Sequence, residues 1–407
     1  MNYIRLRKNN LSVENISALK LVQKYKTPFY CYSLSQLKNN YNTLNNAFKA
    51  VKPIICFSVK SNSNLSLLKE LKKIGSGADV VSAGELLKAT KAGINPKKIV
   101  FSGIGKTFDE IKFAIEKNIL LINAESESEI KEIEKIAKTK KKKINIGLRL
   151  NPNIDAKTLK KISTGKNEDK FGVVESNFLK ILKKFRDSKY LYIKCLSIHI
   201  GSQIIDYRPY AKMINIVQNT IKKSKHKFDF VDLGGGMGIK YNNKSKPLNY
   251  KKYNLIIKKF LKKNNVKIIF EPGRSIIGDT AILLTKIIYI KAIKKKNFII
   301  LDAAMNDLIR PALYGAKHQI IPLKRNNKII NKIHDFVGPI CESTDKFLSL
   351  KKYQKLTEKE ILGICDVGAY GMVLASNYNL RTKASEIMVN KSSLRVILKR
   401  QKLNNII

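Results

Sequence analysis

Tryptophan is absent from this chain of 407 residues, and acidic residues are scarce: 31 Asp and Glu stand against 79 Lys and Arg, a formal net charge of +48. There are only 4 His, without the spacing of metal ligands, so no metal centre is expected. The five cysteines are scattered and form no CxxC pair, which argues against a disulfide framework and for a reducing, cytoplasmic setting. Long apolar runs are missing too. The start MNYIRLRKNN has no signal-peptide core. The most apolar stretch, AILLTKIIYIKAI (281–293), is too short to span a bilayer and holds two lysines, so no membrane partner is expected.

The charge imbalance raises nucleic acid as a partner. It consists of dispersed lysine, in runs such as KTKKKKINI and KAIKKKNF, with abundant Asn and Ile beside it. No RNP-like aromatic motif, zinc-finger spacing or helix-turn-helix signal accompanies it. It reads as a solvated surface of the kind AT-rich coding produces, and no nucleic-acid partner is expected.

Hydrophobic residues make up 44% of the chain, with 21 Gly and 10 Pro, values ordinary for a globular protein large enough for two domains. From Ile54 to Gly273 short apolar runs alternate with amphipathic stretches such as NLSLLKELKKI and TFDEIKFAIEKN. The runs fall at 55–60, 78–81, 99–103, 120–125, 144–151, 195–201, 228–236 and 267–273. Eight strands alternating with helices predict a (β/α)8 barrel, the alternative being an open doubly wound sheet. After Ser275 the pattern turns to β-like runs without intervening helices. The expected organisation is a barrel over 33–275 and a mostly β domain over 276–407. Residues 1–32, which include TPFYC, are expected to join that β domain.

Active sites of such barrels lie where the strands end. Here those ends carry Lys60, Asp79, Arg149, His199, Gly234 to Gly236 and Glu271 to Arg274. Each alone has a plain structural reading: a charge capping a strand, a satisfied core histidine, a tight glycine turn, a local Glu–Arg ion pair. Together they are the groups that hold pyridoxal 5'-phosphate. A lysine amine can condense with its aldehyde, glycines leave room for its phosphate, an imidazole can stack on its ring, and a carboxylate can face its ring nitrogen.

The motifs FSVKSN, GADVVSAGEL, HIGSQI, DLGGGMGI, EPGRSI, MNDLIRPALYGAKH, VGPICESTDKF and DVGAYG, in this order, resemble those of the diaminopimelate decarboxylase family. That family belongs to the fold-type III pyridoxal-phosphate enzymes, with the alanine racemases and the ornithine and arginine decarboxylases. The resemblance covers about residues 10–395. It implies an alanine-racemase-like barrel followed by a β domain, and conversion of meso-2,6-diaminoheptanedioate to L-lysine and CO2. It also implies that Lys60 carries the cofactor, that His199 stacks on its ring, and that Asp79 and Ser202 lie in its pocket. Gly234, Gly235 and Gly236 with the turn Glu271, Pro272, Gly273 and Arg274 hold the phosphate, and Glu271 faces the ring nitrogen. Arg274, Arg310 and Tyr314 would contact substrate. Cys341 as proton donor, Glu342 toward the far ammonium, and Tyr370 toward cofactor and substrate would reach in from the second subunit of a homodimer. The alternatives on the same scaffold are an ornithine- or arginine-type decarboxylase, a racemase, and a non-catalytic cofactor carrier.

Overall fold

Eight parallel strands close into a barrel in the computed structural model, which describes residues 3–155, 165, 168–241 and 246–407. They are β1 (Ile54–Ser58), β2 (Gly77–Val80), β3 (Ile99–Phe101), β4 (Leu121–Ala124), β5 (Ile144–Leu150), β6 (Leu191–Ile198), β7 (Phe230–Asp232) and β8 (Lys267–Phe270). Each pairs with the next, and β8 returns to β1 through Ile269–Ile54 and Phe270–Ile55. All eight expected strands are present, and the open-sheet alternative is excluded by the closure. The observed strands begin between four residues before and two residues after the apolar runs, and all eight end sooner, because the last residues of each run turn toward the strand-end loops.

The helices between the strands follow from capping and spacing. Asn64 accepts the Ser66 N–H at 2.9 Å to open Leu65–Lys73, whose Leu67, Leu68 and Leu71 are buried. Thr107 and Glu110 form a reciprocal capping box at the start of Phe108–Glu116. Cys56, Val100, Leu121, Cys195 and Ile269, from five barrel strands, pack into one fully buried cluster. Each such side chain contributes roughly 1.5–3 kcal/mol by leaving water.

The chain divides into two compact units. One is Tyr41–Ile239 with Lys246–Ser275, which contains the barrel. The other comprises Met1–Asn40, Lys240–Ser245 and Ile276–Ile407 and is mostly β. Its nine-stranded sheet is built on the long strand Ala281–Ala292. That strand pairs with Phe29–Ser33 and Ile361–Cys365 along its first half and with Lys296–Leu301 along its second. Phe29–Ser33 in turn lies parallel to Ser385–Asn390. Leu11, Val13, Phe29, Cys31, Ile282, Leu284, Ile387 and Val389 share the core of this unit. Among the described residues no helix is long and apolar enough to cross a membrane.

Candidate active site

A tight turn, Val59–Ser61, follows β1, so Lys60 stands just past the strand and not on it. The Ser58 N–H donates to the Pro272 carbonyl at 3.0 Å, and the Ser61 hydroxyl donates to the Ser58 carbonyl at 2.7 Å. These bonds tie the lysine turn to the segment Glu271–Arg274. Lys60 Nζ lies 3.6 Å from Asp79 Oδ2, which also accepts the Ser58 hydroxyl at 2.5 Å. Asp79, on β2, is fully buried, and its Oδ1 has no hydrogen-bond partner among the described residues.

His199 directly follows β6, where the sequence suggested a position within the strand. Its Nδ1 accepts the Gly235 N–H at 3.1 Å. Burial, then the positive charges of Arg149 and Lys60, push this imidazole well below its usual range. A neutral ring protonated at Nε2 is what an Nδ1 acceptor requires. Two glycines are dictated by this packing. A Cβ on Gly234 (φ +63°) would come within 2.5 Å of His199 Nδ1, and one on Gly235 within 2.1 Å of the Glu271 carbonyl. The Gly234 N–H donates to Asp232 Oδ1 at 3.0 Å. Two of the three glycine amides are thus bonded within the chain. The Gly236 N–H has no acceptor among the described residues.

Glu271 follows β8, with Oε1 accepting the Ser102 hydroxyl at 3.1 Å. Burial first, then the charges of Asp232 and Asp79, push its carboxyl well above the usual range. Arg274 Nη2 reaches Ser202 Oγ at 3.3 Å, and Ser275 Oγ is buried with no partner among the described residues.

In the other unit, Arg310 and Tyr314 share the single-turn helix Arg310–Tyr314. Arg310 is buried and donates to His318 Nε2 at 2.8 Å, while His318 Nδ1 donates to the Cys365 carbonyl at 2.8 Å. Cys341 and Glu342 are exposed on the loop between Ile333–Val337 and Lys346–Leu350. Asp345 ties that loop down, accepting the Met305 N–H on Oδ1 and the Ile340 N–H on Oδ2, both at 2.8 Å. Thr344 and Tyr378 hydroxyls donate to the two oxygens of Glu342. Tyr370 adopts a left-handed backbone, φ +56°. The expected residues therefore fall into two sets, one in each unit.

Sequence reading passed over Asp232, Ser102, Asn123 and Glu125. Asn123 Nδ2 donates to Asp232 Oδ2 at 2.9 Å, and Glu125 Oε1 pairs with Arg149 Nη1 at 2.8 Å. The available signal was a polar residue inside an apolar run: the Asn of LLINAE and the Asp of FVDLGGG, two positions before the first glycine. A buried carboxylate oxygen without a partner among the described residues, a neutral imidazole and a lysine amine beside that carboxylate fit pyridoxal phosphate.

Comparison with known proteins agrees with this chemistry. The model of the pyridoxal-binding domain of pyridoxal-dependent decarboxylases matches residues 34–278. The diaminopimelate decarboxylase of Helicobacter pylori strain J99 is 43% identical over 391 residues, covering 95% of this chain and 96% of its own length. A crystal structure of the H. pylori diaminopimelate decarboxylase complexed with L-lysine is similar at a TM-score of 0.91 and 41% identity, covering 96% of this chain and 98% of that one. The diaminopimelate decarboxylase of M. jannaschii in co-complex with L-lysine gives 0.94 at 33% identity, covering 100% of this chain and 96% of that one.

Proposed function

The chain belongs to the diaminopimelate decarboxylase family, and on that premise we propose that it converts meso-2,6-diaminoheptanedioate to L-lysine and CO2 with pyridoxal 5'-phosphate as cofactor. The observation that carries the reading is the convergence of Lys60, partly exposed, and half-buried His199 with the buried carboxyls of Asp79 and Glu271 at four strand ends. When bound, the cofactor supplies a protonated ring that accepts the electrons left as CO2 departs.

Lys60 holds the cofactor through its amine, with Asp79 beside it. His199, neutral, packs on the ring without adding positive charge. Glu271 faces the ring nitrogen. Gly236, through its open amide, takes the phosphate with Ser202, Gly234, Gly235, Pro272, Gly273 and Arg274, and Tyr370 completes the pocket. Arg310, with Arg274 and Tyr314, binds the far carboxylate, where a guanidinium offers paired N–H donors. Glu342 binds the far ammonium. Cys341 delivers from Sγ the proton that replaces the lost carboxyl. The exposure of Cys341 and Glu342 in the single chain supports a homodimer in which they serve the partner's site. Residues 33–275 form the cofactor domain, and 276–407 with 1–32 the β domain. Five free cysteines support a cytoplasmic setting.

The test is incubation with meso-diaminopimelate, ornithine and arginine in turn, with CO2 and product amine measured. Lysine and CO2 should form in equal amounts from the first, far faster than product from the others. Preference for ornithine or arginine would refute the reading.

A further inference from the structure

Three carboxyl groups meet at the ends of β2, β7 and β8: Asp79, Asp232 and Glu271. Asp79 and Asp232 are fully buried and Glu271 is 8% exposed. The cation facing them is Lys60, which lies against Asp79. The two thiols facing them, Cys56 from β1 and Cys195 from β6, are pushed up by burial and stay neutral. Asp232 and Glu271 share one buried hydrogen-bonded chain: Asn123 Nδ2 donates to Asp232 Oδ2 and, at 3.2 Å, to Ser102 Oγ, whose hydroxyl donates to Glu271 Oε1, and two buried carboxyls linked in this way favour holding one proton between them. Asp232 accepts two bonds, from the Gly234 N–H at 3.0 Å and Asn123 Nδ2 at 2.9 Å. Glu271 accepts one from Ser102. The better-supported anion is Asp232, and the proton belongs on Glu271. Burial and mutual repulsion push both carboxyls up, Glu271 the further.

We propose that Asp232 is a positioning residue which, with Glu271, stores one proton in the cofactor-free barrel, and that Glu271 gives this proton to the ring nitrogen as the cofactor binds. The idea rests on the reading that Glu271 faces that nitrogen. The Glu271 O–H bond breaks, an N–H bond forms on the ring, and no electrons leave either partner. Glu271 becomes the anion that pairs with the ring cation. Asp232 remains an anion held by Gly234 and Asn123.

The experiment adds pyridoxal 5'-phosphate to cofactor-free protein in mildly alkaline buffer, above the pKa of the free cofactor's ring nitrogen. Difference infrared spectra follow the C=O stretch of a protonated carboxyl. Calorimetry in two buffers of different ionisation enthalpy counts protons taken from solvent. Wild type should lose one protonated-carboxyl band on binding. In Asp232→Asn an amide donor replaces the repelling carboxylate, so Glu271 is already ionised. That variant should lose no such band and should take up about one proton per site more than wild type. Binding without loss of a carboxyl band in wild type overturns the proposal, as does an Asp232→Asn protein whose band and proton count match wild type. If the variant does not fold, the wild-type infrared result decides alone. No visible absorbance change in wild type would mean no cofactor bound, and the site reading would fall with the proposal.

Discussion

Lys60 is one of many basic residues in the chain, yet its neighbours single it out: Asp79 at 3.6 Å and a turn tied to Pro272. Borohydride reduction of the loaded protein followed by peptide mapping should place the cofactor on Lys60. Lys60→Ala should lose both that label and turnover; label on another lysine would contradict the assignment. Arg310→Leu removes a buried guanidinium proposed to pair with the far carboxylate. It should lower kcat/KM for meso-diaminopimelate by about 10²-fold, or about 3 kcal/mol, in steady-state assays. An unchanged value would assign Arg310 to packing with His318. Lys60, His199 and Glu271 were legible because each sits in a short motif at the end of an apolar run. Asp232 and Asn123 were not, because their bond joins residues 109 positions apart and no local pattern encodes it.

At the scale of elements, the barrel was legible and the β sheet only partly so. Each barrel strand neighbours the next in sequence, and seven amphipathic helices separate the eight apolar runs. In the sheet, Phe29–Ser33 pairs with Ala281–Ala292 and Ser385–Asn390, partners about 250 and 350 positions away. The strand Ser393–Leu398 shows no buried face, so its pattern gives little signal. The loop carrying CESTD illustrates what structure adds to a motif. Its Asp faces inward and fixes the loop through two backbone bonds. Asp345→Ala would leave the Met305 and Ile340 N–H groups unpaired, at about 1–3 kcal/mol each. The expected result is a sharp fall in kcat with the visible cofactor absorbance retained, since Lys60 and Glu271 lie in the other unit. Absorbance lost together with kcat would show that the loop's anchoring acts on the barrel as well.

For the whole molecule, the charge of +48 implies self-repulsion that salt screens. The thermal midpoint should therefore rise as NaCl goes from about 10 to about 150 mM, where the Debye length falls from about 30 to about 8 Å. A midpoint that falls over this range would mean that attractive pairs such as Lys106–Glu129 outweigh the repulsion. The same scale holds the central claim, that one decarboxylating site draws Lys60 from one chain and Cys341 from its partner. Lys60→Ala and Cys341→Ala proteins are each prepared, shown to be nearly inactive, then mixed until mass spectrometry confirms subunit exchange. Random exchange makes half of the dimers mixed, each with one intact site, so lysine production from meso-diaminopimelate should return to about a quarter of the wild-type rate. Verified exchange with no recovery would contradict the account and confine each site to a single chain.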